Sequence, residues 1–293
     1  MAGRRCGFTI RADPSSIEHE RLPVLIAARR SALRWQNNAR IVLWIGTIGT
    51  IQPNSVQSVR RKSEKNCIVS TMNRLVIAID GPSGSGKSSI GKALARRLGY
   101  LYIDSGAVYR AVGLKALNTG ISVEDSAAVG RIARDAVINL KGDPDYLRVF
   151  LDGQDVTAEI RLPEASRASS VVATIPEVRR AVVDKLREMS LEGGVVMDGR
   201  DIGTKVFPQA QVKLFLDATL DVRARRRCEE ERERGRDVSV ETVKAELEER
   251  DRRDTGRLAT PLVKAADAVL LDTSELSLDV VIERVLEIVN SRS

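Results

Sequence analysis

From residue 74 onward the apolar positions fall into short continuous runs separated by longer amphipathic stretches. "RLVIAI" (74–79) is mostly apolar over the length of a strand, the pattern of a strand covered on both faces in a parallel sheet. "SSIGKALARRLG" (88–99) predicts an amphipathic helix closed by Gly99. "YLYID" (100–104) reads as a second strand, and helical patterns fill about 106–140. "YLRVFLDGQDV" (146–156) alternates around an LDGQ turn and predicts a small hairpin. A helix is expected after Pro176, with Val178, Ala181, Val182, Leu186 and Met189 at helical spacing. "GVVMDGRD" (194–201), "QVKLFLDA" (211–218) and "ADAVLLDTS" (266–274) read as further buried strands. Leu278, Val281, Ile282, Val285, Leu286 and Val289 form the apolar stripe of a last helix. Strands alternating with helices predict an α/β three-layer sandwich with a parallel sheet core.

The first 71 residues do not share this regularity. They show no sustained period, hold the sole histidine (His19) and both tryptophans (Trp35, Trp44), and end in the polar stretch "IQPNSVQSVRRKSEKN". Charge separates the two parts as well. Of 47 Lys/Arg and 40 Asp/Glu, twelve and four fall in residues 1–71, leaving 35 basic and 36 acidic residues in 72–293. The net charge of +7 therefore belongs to the first quarter of the chain, and the remainder has no global attraction for polyanions. Residues 1–71 admit three readings: an organelle leader, opposed by Asp13, Glu18 and Glu20; a regulatory or interaction arm; or preceding codons wrongly included, with translation starting at Met72. The last is favoured, because a strand pattern begins two residues after that methionine. The longest apolar run, "IVLWIGTIGTI" (41–51), has eleven residues, short of the roughly 20 a membrane span needs. Three scattered cysteines (Cys6, Cys67, Cys228) propose neither a disulfide framework nor a zinc site, and a reducing, cytoplasmic location is expected.

Candidate chemistry begins at Gly81-Pro82-Ser83-Gly84-Ser85-Gly86-Lys87-Ser88-Ser89, which matches G-x-x-x-x-G-K-[ST] with a strand before it and a helix after it. The glycines let backbone N–H groups turn toward phosphate oxygens, and the helix N-terminus adds its dipole. Lys87 is placed to reach the β- and γ-phosphates, and the Ser88 hydroxyl to coordinate Mg²⁺. The expected ligand is a nucleoside triphosphate with Mg²⁺, in a P-loop NTPase-type fold. No Asn-Lys pair occurs in the chain, so the N-K-x-D guanine-reading motif of a GTPase is absent. That leaves a small kinase or a nucleotide-binding switch.

"DSGAVYR" (104–110) follows the second strand, at the sheet edge where such folds bind ligands. Asp104 and Ser105 suit either a substrate contact or a helix N-cap, whereas Arg110 can fork onto a phosphate. Taken together, "IDGPSGSGKSS", "IDSGAVYR", "MDGRDIGTKVFP" and "ERDRRDTGR…TPL" resemble the bacterial cytidylate kinases, from about residue 74 to 290. The resemblance implies transfer of the γ-phosphoryl group of ATP to CMP or dCMP. It also implies an acceptor-binding insertion (about 106–180) and a mobile lid (about 223–237) in a kinase domain spanning 72–293. Matched residue by residue, Arg110 and Arg200 would hold the acceptor phosphate, with Ser105 and Tyr109 lining its pocket. Ser170, Arg179 and Asp201 would read the cytosine edge, and Arg250, Asp254 and Arg257 the ribose and phosphate. The i, i+4, i+7 spacing of the last three places them on one face of a helix. Many relatives carry Gly-Lys-Gly-Thr where this chain has Gly86-Lys87-Ser88-Ser89, a change that keeps a hydroxyl for Mg²⁺.

Phosphoryl transfer asks for positioning and charge neutralisation more than for covalent chemistry. Residues 72–293 contain no histidine, which excludes a histidine base, and the acceptor phosphate is already ionised. Lys87, Mg²⁺, Arg110, Arg200 and Arg257 are the expected neutralising set. Asp198, ending an apolar strand, suits either a water-mediated Mg²⁺ position or a plain turn carboxylate. "RARRRCEEERERGR" (223–236) reads as a lid whose arginines exclude water, or as a solvated helix with the pairs Arg225–Glu229, Arg226–Glu230 and Arg227–Glu231. The partners implied are ATP and CMP or dCMP, with neither nucleic acid nor membrane, in a family that is commonly monomeric. Kinases for AMP, UMP or shikimate, and a non-catalytic ATP-dependent switch, are the rival readings.

Overall fold

A computed structural model of the chain describes residues 74–257 and 260–292. The expectations concerning residues 1–71 and a start at Met72 lie outside the described residues.

In chain order the elements are β1 (Val76–Asp80), α1 (Lys87–Leu98), β2 (Leu101–Asp104), α2 (Ser105–Asn118), α3 (Ser126–Asp135), β3 (Ile138–Lys141), β4 (Arg148–Leu151) and β5 (Gln154–Asp155). They continue with α4 (Pro163–Val172), α5 (Pro176–Glu188), β6 (Val195–Gly199), β7 (Val212–Asp217), α6 (Leu220–Glu233), α7 (Val240–Gly256), β8 (Val269–Asp272) and α8 (Leu278–Asn290). Five strands form one parallel sheet in the order β2-β6-β1-β7-β8. Register places Ala78 beside Met197 and Lys213, so β1 lies at the centre with a partner on each side.

Alternation along β1 explains the three layers. Ile77 and Ile79 pack with Val196, Leu214, Leu94 of α1, and Val281 and Val285 of α8. Ala78, between them, points to the opposite side and joins Ile103, Met197, Val108 of α2 and Val182 of α5. A strand buried on both faces has no polar positions to spare, which is why the run "VIAI" is unbroken. Packing also decides α8. Its stretch "VVIERVLEIV" is rich in β-branched residues, each a few tenths of a kcal/mol poorer than alanine as a helix former. Val281, Ile282, Val285 and Val289 are buried, and each such burial gains about 1.5–3 kcal/mol, so tertiary contacts override propensity.

Between β2 and β6 the chain leaves the main sheet. The expected hairpin is present, with Asp152 and Gly153 both at positive φ between Leu151 and Gln154. It is part of a three-stranded antiparallel sheet, however, because β3 pairs with β4 from Ile138–Leu151 to Lys141–Arg148. The helical reading of 106–140 is thus corrected at its end. "INLK" is too short for its pattern to separate a strand from a helix turn, and only the partner strand decides. Helix α4 was not marked by periodicity either, since its face is built from alanines and serines. That small-residue face lets α4 approach α2 closely: a Cβ on Gly113 would lie 3.0 Å from Ala168 Cβ and 3.1 Å from Ser169 N.

Helices α6 and α7 form an antiparallel pair with a small core of Ala224, Cys228, Val243 and Leu247. Two expectations are corrected here. Helix α7 ends at Gly256, and Arg257 has extended backbone (φ −62°, ψ 132°), so the 250/254/257 set does not share one helical face. Of the three predicted ion pairs in α6, Arg227–Glu231 forms at 2.7 Å. Arg226 instead donates to Thr273, and Arg225 donates to the Asp221 carbonyl. No helix of the described residues is long and apolar enough to cross a membrane.

The α2–α4 contact supports a direct prediction. Gly113→Val should force the two helices apart and lower stability by about 1–3 kcal/mol, the usual cost of overpacking. The midpoint of urea unfolding measures it; an unchanged midpoint would show that the helices separate freely.

Candidate active site

The carboxyl ends of β1, β2 and β6 open on one cavity of about 380 Å³. Its floor is the loop between β1 and α1. Gly81 has φ 144°, and a Cβ there would lie 2.0 Å from the Leu216 carbonyl oxygen, so only glycine lets the chain turn against β7. Helix α1 then starts at Lys87 without a side-chain N-cap. Its first-turn N–H groups are therefore left for an anion, with the helix dipole behind them. Ser83, Gly84, Gly86, Lys87, Ser88 and Ser89 line the cavity, while Gly81, Pro82 and Ser85 form the loop's inner side. The Lys87 ammonium is buried and donates to the Pro82 carbonyl and, at 3.4 Å, to Ser85 Oγ. Burial and the nearby Arg200 guanidinium push its pKa well below the ordinary lysine value.

Opposite Lys87, Ser88 Oγ donates to Asp198 Oδ2 at 2.7 Å, and the Tyr102 hydroxyl donates to Oδ1 at 3.1 Å. Burial, aided by the Asp104 charge, raises the Asp198 pKa to about 6. A hydroxyl beside a carboxylate that lacks a full counter-charge is a hard-oxygen pair suited to Mg²⁺, which takes few protein ligands and fills its shell with water and phosphate. The residues present fit that ion.

The acceptor side is built from pairs of opposite charge. Asp104 caps α2 by accepting from Ala107 N at 3.0 Å, and also accepts from Arg110 NH2 at 2.6 Å. The N-cap reading of Asp104 is thus observed, and the same carboxylate borders the cavity. Ser105 Oγ donates to the Asp198 carbonyl at 2.7 Å, tying α2 to β6. Tyr109 lies with its ring centroid 5.7 Å from the Arg179 guanidinium. Arg179, on α5, donates to the Ala173 carbonyl at 2.9 Å and to Asp201, so both side chains are buried as a pair. Arg179 Nε and the adjoining Ser170 Oγ are buried without a protein partner. Buried polar atoms are seldom left so, and both border the cavity.

Asp254 is the hinge of the third group. One oxygen accepts from Arg200 Nε at 2.7 Å and the other pairs with Arg257. Burial alone would raise its pKa, but Arg200, Arg257 and Arg250 outweigh that and hold it at about 2. Among the described residues Arg250 forms no ion pair with a carboxylate, and burial together with Arg200 lowers its pKa to about 10. The predicted residues Asp104, Ser105, Tyr109, Arg110, Ser170, Arg179, Asp198, Arg200, Asp201, Arg250, Asp254 and Arg257 all line the same cavity. Of the seven arginines in residues 223–236, Arg227 and Arg234 reach it.

Sequence reasoning missed several residues. Asp80, at the end of β1, accepts from Ile202 N at 2.7 Å and Gly203 N at 2.8 Å. It thereby anchors the turn that presents Arg200 and Asp201, although burial raises its pKa to about 6. A lone acid between an apolar strand and the phosphate loop is the signal that marks it. Arg223 is buried and donates to the carbonyls of Ala218 and Ser83 and to Asp251. Thr273 Oγ1 donates to the Ser85 carbonyl at 3.1 Å, linking the end of β8 to the loop. Beside Thr273, a second, open pocket lies between Arg226, Val222 and Ser274.

A triphosphate-type loop facing a guanidinium-lined acceptor cavity moves phosphoryl groups between two anionic ligands, so the class is that of the P-loop kinases. Within it, this chain belongs to the cytidylate kinase family, whose model, described as Cytidylate kinase, matches residues 77–291. The cytidylate kinase of Pelotomaculum thermopropionicum is 50% identical over 211 residues, covering 72% of this chain and 93% of that protein. Those of Caldanaerobacter subterraneus and Geobacillus kaustophilus are 49% and 48% identical, covering 74% and 75% of this chain and 95% and 98% of their own.

The two carboxylates respond oppositely to substitution. Asp254, lowered from 3.8 to about 2, adds about 2 kcal/mol that is full above pH 4 and fades as pH falls toward 2. Asp254→Asn should therefore destabilise the protein at pH 7 and by less at pH 3. Asp198, raised from 3.8 to about 6, costs stability as pH climbs through that window. Asp198→Asn should raise the urea midpoint of the metal-free protein at pH 7, by about 1–2 kcal/mol, with little gain at pH 4. Unfolding curves at the three pH values check both signs.

Proposed function

We propose that this chain transfers the γ-phosphoryl group of ATP to CMP or dCMP, giving ADP and CDP or dCDP, inside the arginine-lined cavity at the phosphate loop. Family membership supplies the reaction; the assignment of individual residues is our reading. The observation that carries it is that Ser170, Arg179 and Asp201 meet in the same cavity as the phosphate loop, with Ser170 Oγ and Arg179 Nε lacking protein partners. Cytosine presents an N4 donor beside N3 and O2 acceptors, so a carboxylate, a guanidinium and a hydroxyl complement its edge.

In this reading Gly81 to Ser89 wrap the triphosphate, and Lys87 leaves the Pro82 carbonyl for the β- and γ-phosphates. Ser88 directly, and Asp198 through water, would hold Mg²⁺, which supplies charge neutralisation at the phosphates. Arg110, Arg200 and Arg257 take the acceptor phosphate, Arg250 and Asp254 the ribose side, and Asp104, Ser105 and Tyr109 wall the pocket. An oxygen of the CMP phosphate bonds to the γ-phosphorus while the bond to the β–γ bridging oxygen breaks, and ADP departs. No proton needs removal from an ionised phosphate, so a cavity without a general base suffices. Residues about 106–180 act as the acceptor-binding insertion, and residues about 223–237 as a lid that keeps water from the phosphoryl group.

A coupled ADP-release assay with CMP, dCMP, UMP and AMP should show turnover strongest with the two cytidine nucleotides. Equal or better turnover of AMP or UMP would sink the acceptor assignment. Lys87→Ala should cut kcat by at least 100-fold with the fold intact by circular dichroism; near-normal turnover would refute its role.

A further inference from the structure

We infer that Glu231 is a positioning residue for the reaction, the hub that aims the two lid arginines Arg227 and Arg234 into the cavity. The inference rests on the phosphoryl-transfer reading above.

Glu231 lies in the last turn of α6 and is buried. A carboxylate there is doubly disfavoured, by desolvation and by the negative end of the helix dipole. It is retained because three guanidiniums surround it. Oε1 forms an ion pair with Arg227 Nη2 at 2.7 Å and accepts a hydrogen bond from Arg234 Nη1 at 3.1 Å. Oε2 accepts from Arg236 Nε, and the same guanidinium forms an ion pair with it. The Glu231 backbone carbonyl also accepts from Arg236 N at 2.9 Å. The two oxygens thus divide the work: one faces the arginines that line the cavity, the other is fixed to the turn joining α6 to α7.

Neighbouring charges show why this arrangement matters. Glu230 pairs with Arg227 at 2.9 Å but is half exposed, so solvent weakens its hold. Arg225 and Arg226 bond elsewhere, and Arg223 is committed to Ala218, Ser83 and Asp251. Arg227 and Arg234 are therefore the lid cations available to the cavity, and the buried contact they share is Glu231 Oε1. Long arginine side chains have many rotamers, and a fixed acceptor removes that freedom before the phosphoryl group arrives. Glu231 touches no substrate in this account; it acts through the guanidiniums.

The test compares Glu231→Gln, Glu231→Leu and Arg236→Met with wild type in the full-length chain. Steady-state transfer to CMP, ATP hydrolysis without CMP, and urea unfolding are measured for each. Expected for both Glu231 variants is a fall in kcat of about 10- to 100-fold, with KM for CMP within twofold of wild type. The fraction of turnover lost to hydrolysis should rise. Leucine replaces a buried ion cluster by apolar volume and keeps the test valid should glutamine prevent folding. Arg236→Met removes the anchor but leaves Oε1 with Arg227 and Arg234, so it should lower stability more than kcat. Normal kcat in the Glu231 variants would overturn the inference. So would losses of kcat that follow stability equally in all three variants, since those define a merely structural cluster. Wild type without nucleotide kinase activity would instead overturn the reading beneath it.

Discussion

The ion pair that the acceptor side depends on is Asp254 held between Arg200 and Arg257. A cavity meant for dense negative charge must survive without it, and clustered guanidiniums in low dielectric repel one another. The structure answers with a carboxylate for most of the cavity arginines: Asp104 for Arg110, Asp201 for Arg179, Asp254 for Arg200 and Arg257, Glu231 for Arg227 and Arg234. Each carboxylate also fixes the plane of its guanidinium, so neutralisation and orientation come from the same bond. Arg250, which has no such partner, is the arginine whose pKa falls to about 10. The contrast shows what the paired arginines avoid.

The phosphate side is organised on the opposite terms. Lys87, Asp198 and Asp80 are buried with too little compensation, and their proton affinities shift in the directions that favour neutral forms. Lys87 finds only carbonyl and hydroxyl oxygens of its own loop. A triphosphate with its cation would satisfy both kinds of group at once: the phosphates for Lys87 and the uncapped α1 amides, the cation for Ser88 and Asp198. Charge is thus poorly compensated around the phosphate loop and well compensated around Asp254. Site geometry set against fold stability in this manner is common at functional sites.

Much of this could be read in the residues. The phosphate loop, the five parallel strands and the strand-end placement of Asp104 and Asp198 follow from unbroken apolar runs and from glycine spacing, both local signals. Non-local facts escaped. Strand β3 exists because β4 is beside it, and α4 because alanines and serines suffice against Gly113. Arg257 left the helix since the backbone turns after Gly256, yet Asp254 still reaches it from three residues away. The i, i+4 rule assigned Arg225 and Arg226 to glutamates, but the Asp221 carbonyl and Thr273, just after β8, are better placed. Asp80 looked like a strand end and serves as an anchor for two amides of a turn 122 residues away.

Arg223 connects these regions. Its guanidinium and stem reach the Ser83 carbonyl in the phosphate loop, the Ala218 carbonyl after β7, and Asp251 on α7. One buried side chain therefore ties the phosphate loop, the end of β7 and the helices α6 and α7. Asp251 stands one residue after Arg250 and three before Asp254. Arg223 thus joins the loop to the helix that carries Arg250 and Asp254, the carboxylate that clamps Arg200 and Arg257. Thr273 makes a parallel link, bonding the Ser85 carbonyl on one side and Arg226 of α6 on the other. With two such bridges, α6 and α7 are set by the phosphate loop as well as by their small core of Ala224, Cys228, Val243 and Leu247. That core is small, so the bonds through Arg223 and Thr273 add fixed points between the phosphate loop and the α6–α7 pair.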